Sequence, residues 1–287
     1  MGKIIAICNQ KGGTGKTTTA VNLSTFLALE GKKILLIDLD PQANATSGLG
    51  VDKYKIEKST YHLLLNEVEL AEVLKPTNIE NLNLIPSNID LTGAEVELVG
   101  MLGRENALKR KLLPVKESFD FIFIDSPPSL GLLTINALCA ADSVLIPVQC
   151  EYYALEGLTQ LINTINLVKT NLNPSLTIEG VFLTMADFRT NLTHQIIEEV
   201  RRFFSGEREG GIKERVFQTI IPRSVRLSEA PSFGKPIALY DHNSIGARKY
   251  LDLARELLGL PLINQGEDNG ETEFRQGTGS TYSPDST

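Results

Sequence analysis

Residues 9–20 read NQKGGTGKTTTA, and they follow a short apolar run, KIIAIC, that is typical of a strand. The residues from Lys16 onward predict a helix, so the glycine-rich segment is expected to form the turn between the two. Backbone N–H groups and the positive end of the helix dipole converge on such a turn and bind anions. Gly12, Gly13 and Gly15 would let the backbone wrap around phosphates without Cβ clashes. The segment therefore predicts a phosphate-binding loop.

The loop departs from the common G-x-x-x-x-G-K-[ST] pattern, because Gln10 stands where that pattern has glycine. Lys16 is predicted to reach the β- and γ-phosphate oxygens, and Thr17 to place its hydroxyl on Mg²⁺. A glycine-rich turn without a ligand is the alternative, which the G-K-T-T run after a strand makes less favoured. The role of Lys11 stays open at this point, since a lysine on a loop is by default a solvated charge.

Short β-branched runs alternate with stretches of helix length along the chain. This pattern predicts one α/β domain with a doubly wound, mostly parallel sheet and helices on both faces, with ligands at the carboxyl ends of the strands. The predicted strands are KIIAIC, KILLIDLD, NLNLIP, FDFIFID, SVLIPVQ, IEGVFLTM and VFQTIIP, and the predicted helices span 16–30, 91–112, 130–141, 154–170, 192–205 and 244–259.

Composition limits the location and the partners of the protein. The net charge is -7, which argues against a surface that binds nucleic acid everywhere but permits a local basic patch. The three cysteines lack C-x-x-C spacing, which predicts reduced thiols in a cytoplasmic chain. The sequence contains no apolar run near 20 residues, so it predicts no membrane span. Residues 1–260 are predicted to form the domain, and 261–287, polar and acidic, a disordered tail.

Three carboxylates are predicted at the carboxyl edge of the sheet. Asp38 and Asp40 are two residues apart at the end of the second strand, so their side chains should emerge on the same side. Asp125 ends the strand FDFIFID, whereas Asp120 lies at the opposite end of that strand. Either Asp38 or Asp40 could instead cap the turn before Pro41.

The segment KGGTGKTTT resembles the deviant Walker A motif, K-G-G-x-G-K-[ST], of the ParA/MinD class of P-loop ATPases. The resemblance covers about residues 1–260 and implies an ATP-dependent homodimer that uses ATP and Mg²⁺. It assigns Lys11 to the nucleotide of the other subunit and a water-orienting role to Asp40. It also implies that Asp125 holds a magnesium-bound water, and that Asp38 supports either the magnesium shell or the loop.

The same resemblance points to residues that would contact the nucleotide, with two segments flanking the adenine. Met185 could equally fill the core, and Ser224 stands where many relatives have asparagine. The predicted catalytic residues are Lys11, Lys16 and Asp40, and the predicted metal residues are Thr17, Asp38 and Asp125. The nucleotide-binding set is Lys11, Gly12, Gly13, Thr14, Gly15, Lys16, Thr17, Thr18, Met185, Pro222, Arg223 and Ser224.

A nucleic-acid surface is predicted in the second half of the chain. Between Phe188 and Lys235 there are nine basic and six acidic residues, a weak excess of three positive charges. The block IPRSVRLSEAPSFGKPIALYD is similar to partition ATPases in which basic residues of both subunits bind DNA. Binding of this kind would be dominated by phosphate contacts and independent of sequence. The predicted DNA-binding residues are Arg201, Arg202, Arg226 and Lys235.

The resemblance favours a ParA/Soj-type partition ATPase with low intrinsic activity, which binds nonspecific double-stranded DNA at the nucleoid and is stimulated by a ParB-type centromere-binding protein. A MinD-type membrane-surface ATPase is an alternative, but it requires a basic amphipathic C-terminal helix, and this tail is acidic. An iron–sulfur protein of the nitrogenase-reductase type would need Cys-Gly-Gly patterns that are lacking here. A nucleoid-based ATPase that positions another cargo also remains open.

Overall fold

A computed structural model describes residues 2–151, 154–206 and 211–263, and the structural statements below concern these residues. One eight-stranded sheet organises the chain, with the order β3-β4-β2-β5-β1-β6-β7-β8. All neighbouring strands are parallel except β3 and β4. The strands are β1 Lys3–Ile7, β2 Ile34–Asp38, β3 Lys75–Pro76, β4 Leu82–Ile85, β5 Phe121–Asp125, β6 Ser143–Gln149, β7 Thr177–Ala186 and β8 Val216–Pro222. The prediction of a doubly wound, mostly parallel sheet is confirmed.

Helices cover both faces of the sheet. They are α1 Lys16–Leu29, α2 Asn44–Gly48, α3 Thr60–Leu64, α4 Leu70–Val73, α5 Leu91–Glu97, α6 Ala107–Leu112, α7 Leu132–Ala140, α8 Ala154–Asn171, α9 Asn191–Phe204, α10 Val225–Glu229, α11 Ile237–Tyr240 and α12 Ile245–Leu257.

Two apolar cores lie on opposite faces of the sheet, because successive strand residues point in opposite directions. Ile4 and Ala6 of β1 belong to one core, together with helices α7, α8 and α9. Ile5 and Ile7 belong to the other, together with α1, α12 and the segment that carries α10 and α11. Strands buried on both faces read as continuous apolar runs, which explains why the sequence predicted them well.

The prediction of one continuous helix over 91–112 is wrong. The structure divides this stretch into α5 and α6, separated by 3-10 turns at Leu98–Gly100 and Arg104–Asn106. Gly103, just before the second of these turns, has a φ of 65°, a left-handed conformation that a continuous α-helix does not contain. The sequence also missed β3, which is too short for a periodic signal, and several helices of four or five residues.

The last described residues, 261–263, lie along α12. The Arg255 guanidinium donates to the Pro261 carbonyl at 2.9 Å, and the Ile263 amide donates to Asp252 at 3.3 Å. The rest of the predicted tail, 264–287, falls outside the described residues. Among the helices that are described, none is both long enough and apolar enough to cross a bilayer.

Candidate nucleotide site

The glycine-rich segment forms the turn between β1 and α1. Gly15, just before α1, has a φ of 86°, and Gly13 has a φ of 74°. Both values lie in the left-handed region that favours glycine, so these two glycines have a backbone reason to be there. Around Gly12 and Gly13 no atom among the described residues would contact an added Cβ, which leaves open space on the outer side of the loop.

Hydrogen bonds tie the loop to two neighbouring strands. The Asn9 amide donates to the Pro147 carbonyl of β6 at 2.7 Å and accepts from the Lys11 backbone N–H at 2.9 Å. The Thr184 hydroxyl of β7 donates to the Thr14 carbonyl at 2.9 Å. The loop is therefore held in shape by the sheet itself.

The two lysines of the loop occupy different environments. Lys16 is only 6% exposed, and its ammonium donates to the Lys11 carbonyl at 3.0 Å. Burial lowers the Lys16 pKa, and the nearby Asp125 carboxylate opposes that shift. Lys11 instead points outward, with a side chain that is 42% exposed and forms an ion pair with Glu151, just beyond β6. Lys16 thus lies inside the phosphate loop, and Lys11 lies on its rim.

Asp38 is fully buried and accepts three hydrogen bonds. Its carboxylate receives the Thr46 amide at 2.8 Å, the Thr46 hydroxyl at 2.7 Å and the Asp40 amide at 3.2 Å. Burial raises its pKa to about 6, against the effect of the Thr46 bonds. These contacts place Asp38 under the turn that leads into α2.

Asp40 lies just beyond β2 and is 7% exposed. Its Oδ1 accepts the Gln42 backbone N–H at 2.9 Å, which shapes the turn before α2. The Asp40 charge raises the Lys16 pKa and so opposes the effect of burial. Asp40 therefore lies within electrostatic range of the phosphate loop.

Asp125 ends β5 in register with Ile7 of β1 and Asp38 of β2. Both its carboxylate oxygens are buried and have no hydrogen-bond partner within the described residues, although the Thr17 hydroxyl is near enough to lower its pKa. Burial, followed by the charge of Asp38, raises the Asp125 pKa well above its ordinary value. A buried carboxylate without partners, beside a hydroxyl, suits a hydrated Mg²⁺, which keeps most of its waters and needs few protein ligands.

The two segments predicted to flank the adenine lie side by side. Ala186 pairs with Pro222, and the Arg223 amide donates to the Ala186 carbonyl at 3.0 Å. Met185 has a φ of 53°, a strained conformation for a residue with a side chain, and it belongs to neither apolar core. The core-filling alternative for Met185 therefore has no support in the packing. Ser224 precedes α10 without capping it through its side chain.

The four predicted DNA-binding residues do not form one patch on a single subunit. Arg201 and Arg202 are exposed on α9, which packs on one face of the sheet. Arg226 and Lys235 lie in the segment that packs on the other face. Arg202 also pairs with Glu198 at 3.7 Å, whereas Arg226 lies between Glu229 at 3.1 Å and Asp241 at 3.4 Å. Lys235 forms no ion pair with any described residue.

Three residues near the site were absent from the predicted site set. Asn9 holds Lys11, and an asparagine directly after a strand is a turn signal that could have identified it. Thr46 binds Asp38 across eight residues, and Lys53 donates to the Gln42 carbonyl at 2.7 Å. No periodicity or motif connects those two residues to the site, so only the fold reveals them.

Asp38→Asn should lower the free energy of unfolding by about 1–3 kcal/mol, because the amide has one acceptor oxygen instead of two, so either the Thr46 donors or the Asp40 amide would face its N–H₂ group. Urea denaturation of the nucleotide-free chain measures this effect. Asp52→Asn is the control, since Asp52 is an exposed cap of a 3-10 turn, and it should leave stability nearly unchanged. An Asp38→Asn chain as stable as the parent would show that Thr46 does not need the carboxylate.

Comparison with known proteins agrees with this geometry. The AAA domain family model matches residues 2–178. The sporulation initiation inhibitor protein Soj of Bacillus subtilis (strain 168) is 60% identical over 257 residues, which cover 90% of this chain and 98% of Soj. The chromosome partitioning protein ParA of Myxococcus xanthus (strain DK1622) is 56% identical over 258 residues, which cover 90% of this chain and 88% of that protein.

Among solved structures, cobyrinic acid a,c-diamide synthase from Mycobacterium smegmatis, with a bound ATP analogue and magnesium, matches with a TM-score of 0.78. It is 36% identical, and the match covers 92% of this chain and all of that one. The fold and the phosphate loop thus define a P-loop protein of the AAA domain family. Within that class, the chain belongs to the Soj and ParA family of chromosome-partitioning proteins.

Proposed function

We propose that this chain is an ATP-hydrolysing DNA-partition protein in which ATP drives a sandwich dimer onto nonspecific DNA. Hydrolysis of ATP then releases the DNA. Hydrolysis is slow in the dimer alone and is stimulated by a ParB-type centromere-binding protein. The observation that carries the proposal is the division between the two loop lysines. Lys16 is buried within its own loop, whereas Lys11 projects from the rim, where a second subunit could receive it.

ATP would place its phosphates against the loop 11–17, with Lys16 moving from the Lys11 carbonyl to a phosphate oxygen. The Thr17 hydroxyl and Asp125 would hold Mg²⁺, which would neutralise charge on the phosphates. Asp40 would orient the attacking water from its position beyond β2. The base would lie against Met185 and Pro222–Ser224, which the pairing of β7 with β8 brings together.

Lys11 is proposed to act in trans. Its ion pair with Glu151 is half-exposed and costs little to break, since exposed pairs contribute about 0–1 kcal/mol. When two subunits close on ATP, the ammonium can exchange the carboxylate for the partner's phosphates, where charge builds up in the transition state. Dimerisation and hydrolysis would then depend on the same side chain.

DNA binding is proposed to use basic residues of both subunits, through phosphate contacts alone. The segment 223–235 is favoured over α9, because the exposed face of α9 carries Glu198 and Glu199 beside Arg201 and Arg202. Lys235 is exposed without an ion pair in the described part of the chain, so its charge is available. This surface would make the protein cytoplasmic and nucleoid-associated.

Arg226→Gln should weaken binding to nonspecific duplex at 100 mM salt by at least about tenfold, because the dimer would lose two phosphate contacts. Glutamine is preferable to glutamate, which would place three carboxylates together at Glu229 and Asp241. Fluorescence anisotropy with labelled duplex and ATP measures the change.

Lys33→Gln is the matched control, since Lys33 is exposed at the opposite end of the sheet. If Arg226→Gln bound duplex as tightly as the parent, Arg226 would serve only its ion pairs with Glu229 and Asp241 and not DNA binding. ATP-dependent dimerisation, followed by sedimentation, should be unchanged in both variants.

The proposed function is tested by co-sedimentation with nonspecific duplex or with anionic liposomes, each with ATP and with ADP. The proposal expects retention on duplex with ATP only. Retention on liposomes would favour the MinD-type alternative, and equal retention on duplex with ADP would contradict an ATP-driven switch. Addition of a ParB-type protein should increase phosphate release from the DNA-bound dimer.

A further inference from the structure

A cavity of about 440 Å³ lies beside the phosphate loop, on the outer side of α1. Its volume is within the range of small-ligand sites, roughly 300–1,000 Å³. Three walls enclose it: the first turns of α1, the helix α2 with Lys53, and the segment 230–236. The polar residues of its lining are Thr17, Thr18, Asn22, Asn44, Ser47, Lys53, Ser232 and Lys235.

The charged side chains that line this cavity are all positive. Lys53 and Lys235 come from different walls, and the described lining contains no aspartate or glutamate. The chain as a whole has 35 acidic and 28 basic residues, so two lysines without a carboxylate are a local departure from its composition. Asn22 and Ser47 already donate to the Thr18 and Ala43 carbonyls, so the two ammonium groups dominate the polar character of the lining. Two ammonium groups without a carboxylate suit a phosphate-like anion.

The cavity adjoins the place proposed for the nucleotide phosphates, with Thr17 and Thr18 at the border, and its two lysines lie outside the phosphate loop. Those phosphates would lie on the loop 11–17, whereas the cavity extends along α1 from Thr17 to Asn22. Lys235 joins it to the basic segment 223–235, and the ring of Phe233, 63% exposed, stacks on Tyr240 nearby. The site thus opens onto the surface proposed for DNA.

Two contacts connect the cavity walls to the residues that follow β2. The Lys53 ammonium donates to the Gln42 carbonyl, and the Gln42 amide donates to Asp40. Gly50, after α2, meets Gly234 backbone to backbone, where a Cβ on Gly234 would lie 2.9 Å from the Gly50 Cα. Hydrogen bonds thus link Asp40 to Lys53, and the approach of Gly50 to Gly234 joins that wall to the segment that carries Lys235.

From this arrangement we infer that the cavity binds a backbone phosphate of DNA between Lys53 and Lys235. The inference rests on the proposed DNA-partition function and adds a site to it. The hydrogen-bonded path from Lys53 through Gln42 to Asp40 gives the bound phosphate a physical link to the residue proposed to orient water. DNA contact and nucleotide state are then coupled through one turn of the chain.

The test uses Lys53→Gln and Lys235→Gln, with Lys55→Gln as the matched control. Lys55 is two residues from Lys53, its side chain is 83% exposed and it pairs with Asp52 outside the cavity. Binding of the full chain to labelled nonspecific duplex is measured with ATP at several salt concentrations between 50 and 200 mM. Binding of a fluorescent ATP analogue without DNA is measured in parallel.

Both cavity variants should bind duplex at least about tenfold more weakly, with the slope of log K against log salt reduced by about 2 per dimer, one phosphate per subunit. Affinity for the ATP analogue should stay within twofold, and Lys55→Gln should match the parent. A parent-like slope in Lys53→Gln would overturn this inference alone, and so would weaker ATP binding with unchanged DNA binding, which would assign the cavity to the nucleotide. Failure of the unaltered chain to bind duplex with ATP would overturn the proposed function together with it.

Discussion

Lys11→Ala is expected to bind ATP with affinity close to that of the parent and to lose nearly all ATP-dependent dimerisation and hydrolysis. The binding groups for the phosphates, Lys16 and the loop amides, remain, because Lys11 makes no side-chain contact with them and instead pairs with Glu151. A cation supplied to a phosphoryl transition state from another subunit contributes on the order of a thousandfold or more to the rate. Phosphate release and size-exclusion chromatography with ATP measure the two losses.

Glu151→Gln is the companion variant for Lys11. It keeps the lysine and removes only its partner within the subunit, so ATP-dependent dimerisation should be retained and no loss of a thousandfold should occur. If Lys11→Ala turned over ATP at the parent rate, the lysine would have no role in trans. If it lost ATP binding itself, Lys11 would act on its own subunit's nucleotide.

Asp40→Ala should have the second largest effect, a fall in hydrolysis of about a hundredfold or more, which is typical for loss of a group that positions or deprotonates water. ATP binding should persist, because Asp40 contributes no donor to the phosphates. The variant should therefore accumulate as an ATP-bound dimer on DNA. Single-turnover hydrolysis and retention on duplex measure the two expectations.

Asp40 also accepts the Gln42 amide, so a second variant must separate chemistry from shape. Asp40→Asn keeps an acceptor for that amide while removing the charge, and it should lose hydrolysis as severely as the alanine variant. Parent-rate hydrolysis in Asp40→Asn would assign Asp40 to the turn alone.

The sheet could be predicted from the sequence because its inner strands are buried on both faces and read as unbroken apolar runs. The turn between β1 and α1 could also be predicted, since its glycines and the G-K-T-T run directly follow an apolar strand. The division of 91–112 was missed because its apolar residues continue at helical spacing through Gly100 and Gly103. Local conformation, rather than burial, ends the helix there.

The residues that complete the site were harder to predict, because their contacts are long-range. Thr184 reaches Thr14 across 170 residues, and Gly234 meets Gly50 through the fold alone. The basic residues illustrate the same limit. Charge counting grouped Arg201 with Lys235, whereas the topology places α9 and the segment after β8 on opposite faces of the sheet.

The bonds that tie the phosphate loop to β6 and β7 have an energetic consequence. Because Asn9 and Thr184 hold the loop in a closed curve, its conformational entropy is already lost when the chain folds. A ligand that enters this preorganised loop loses no affinity to ordering it. Release of that ligand would likewise leave in place the two strands that hold the loop.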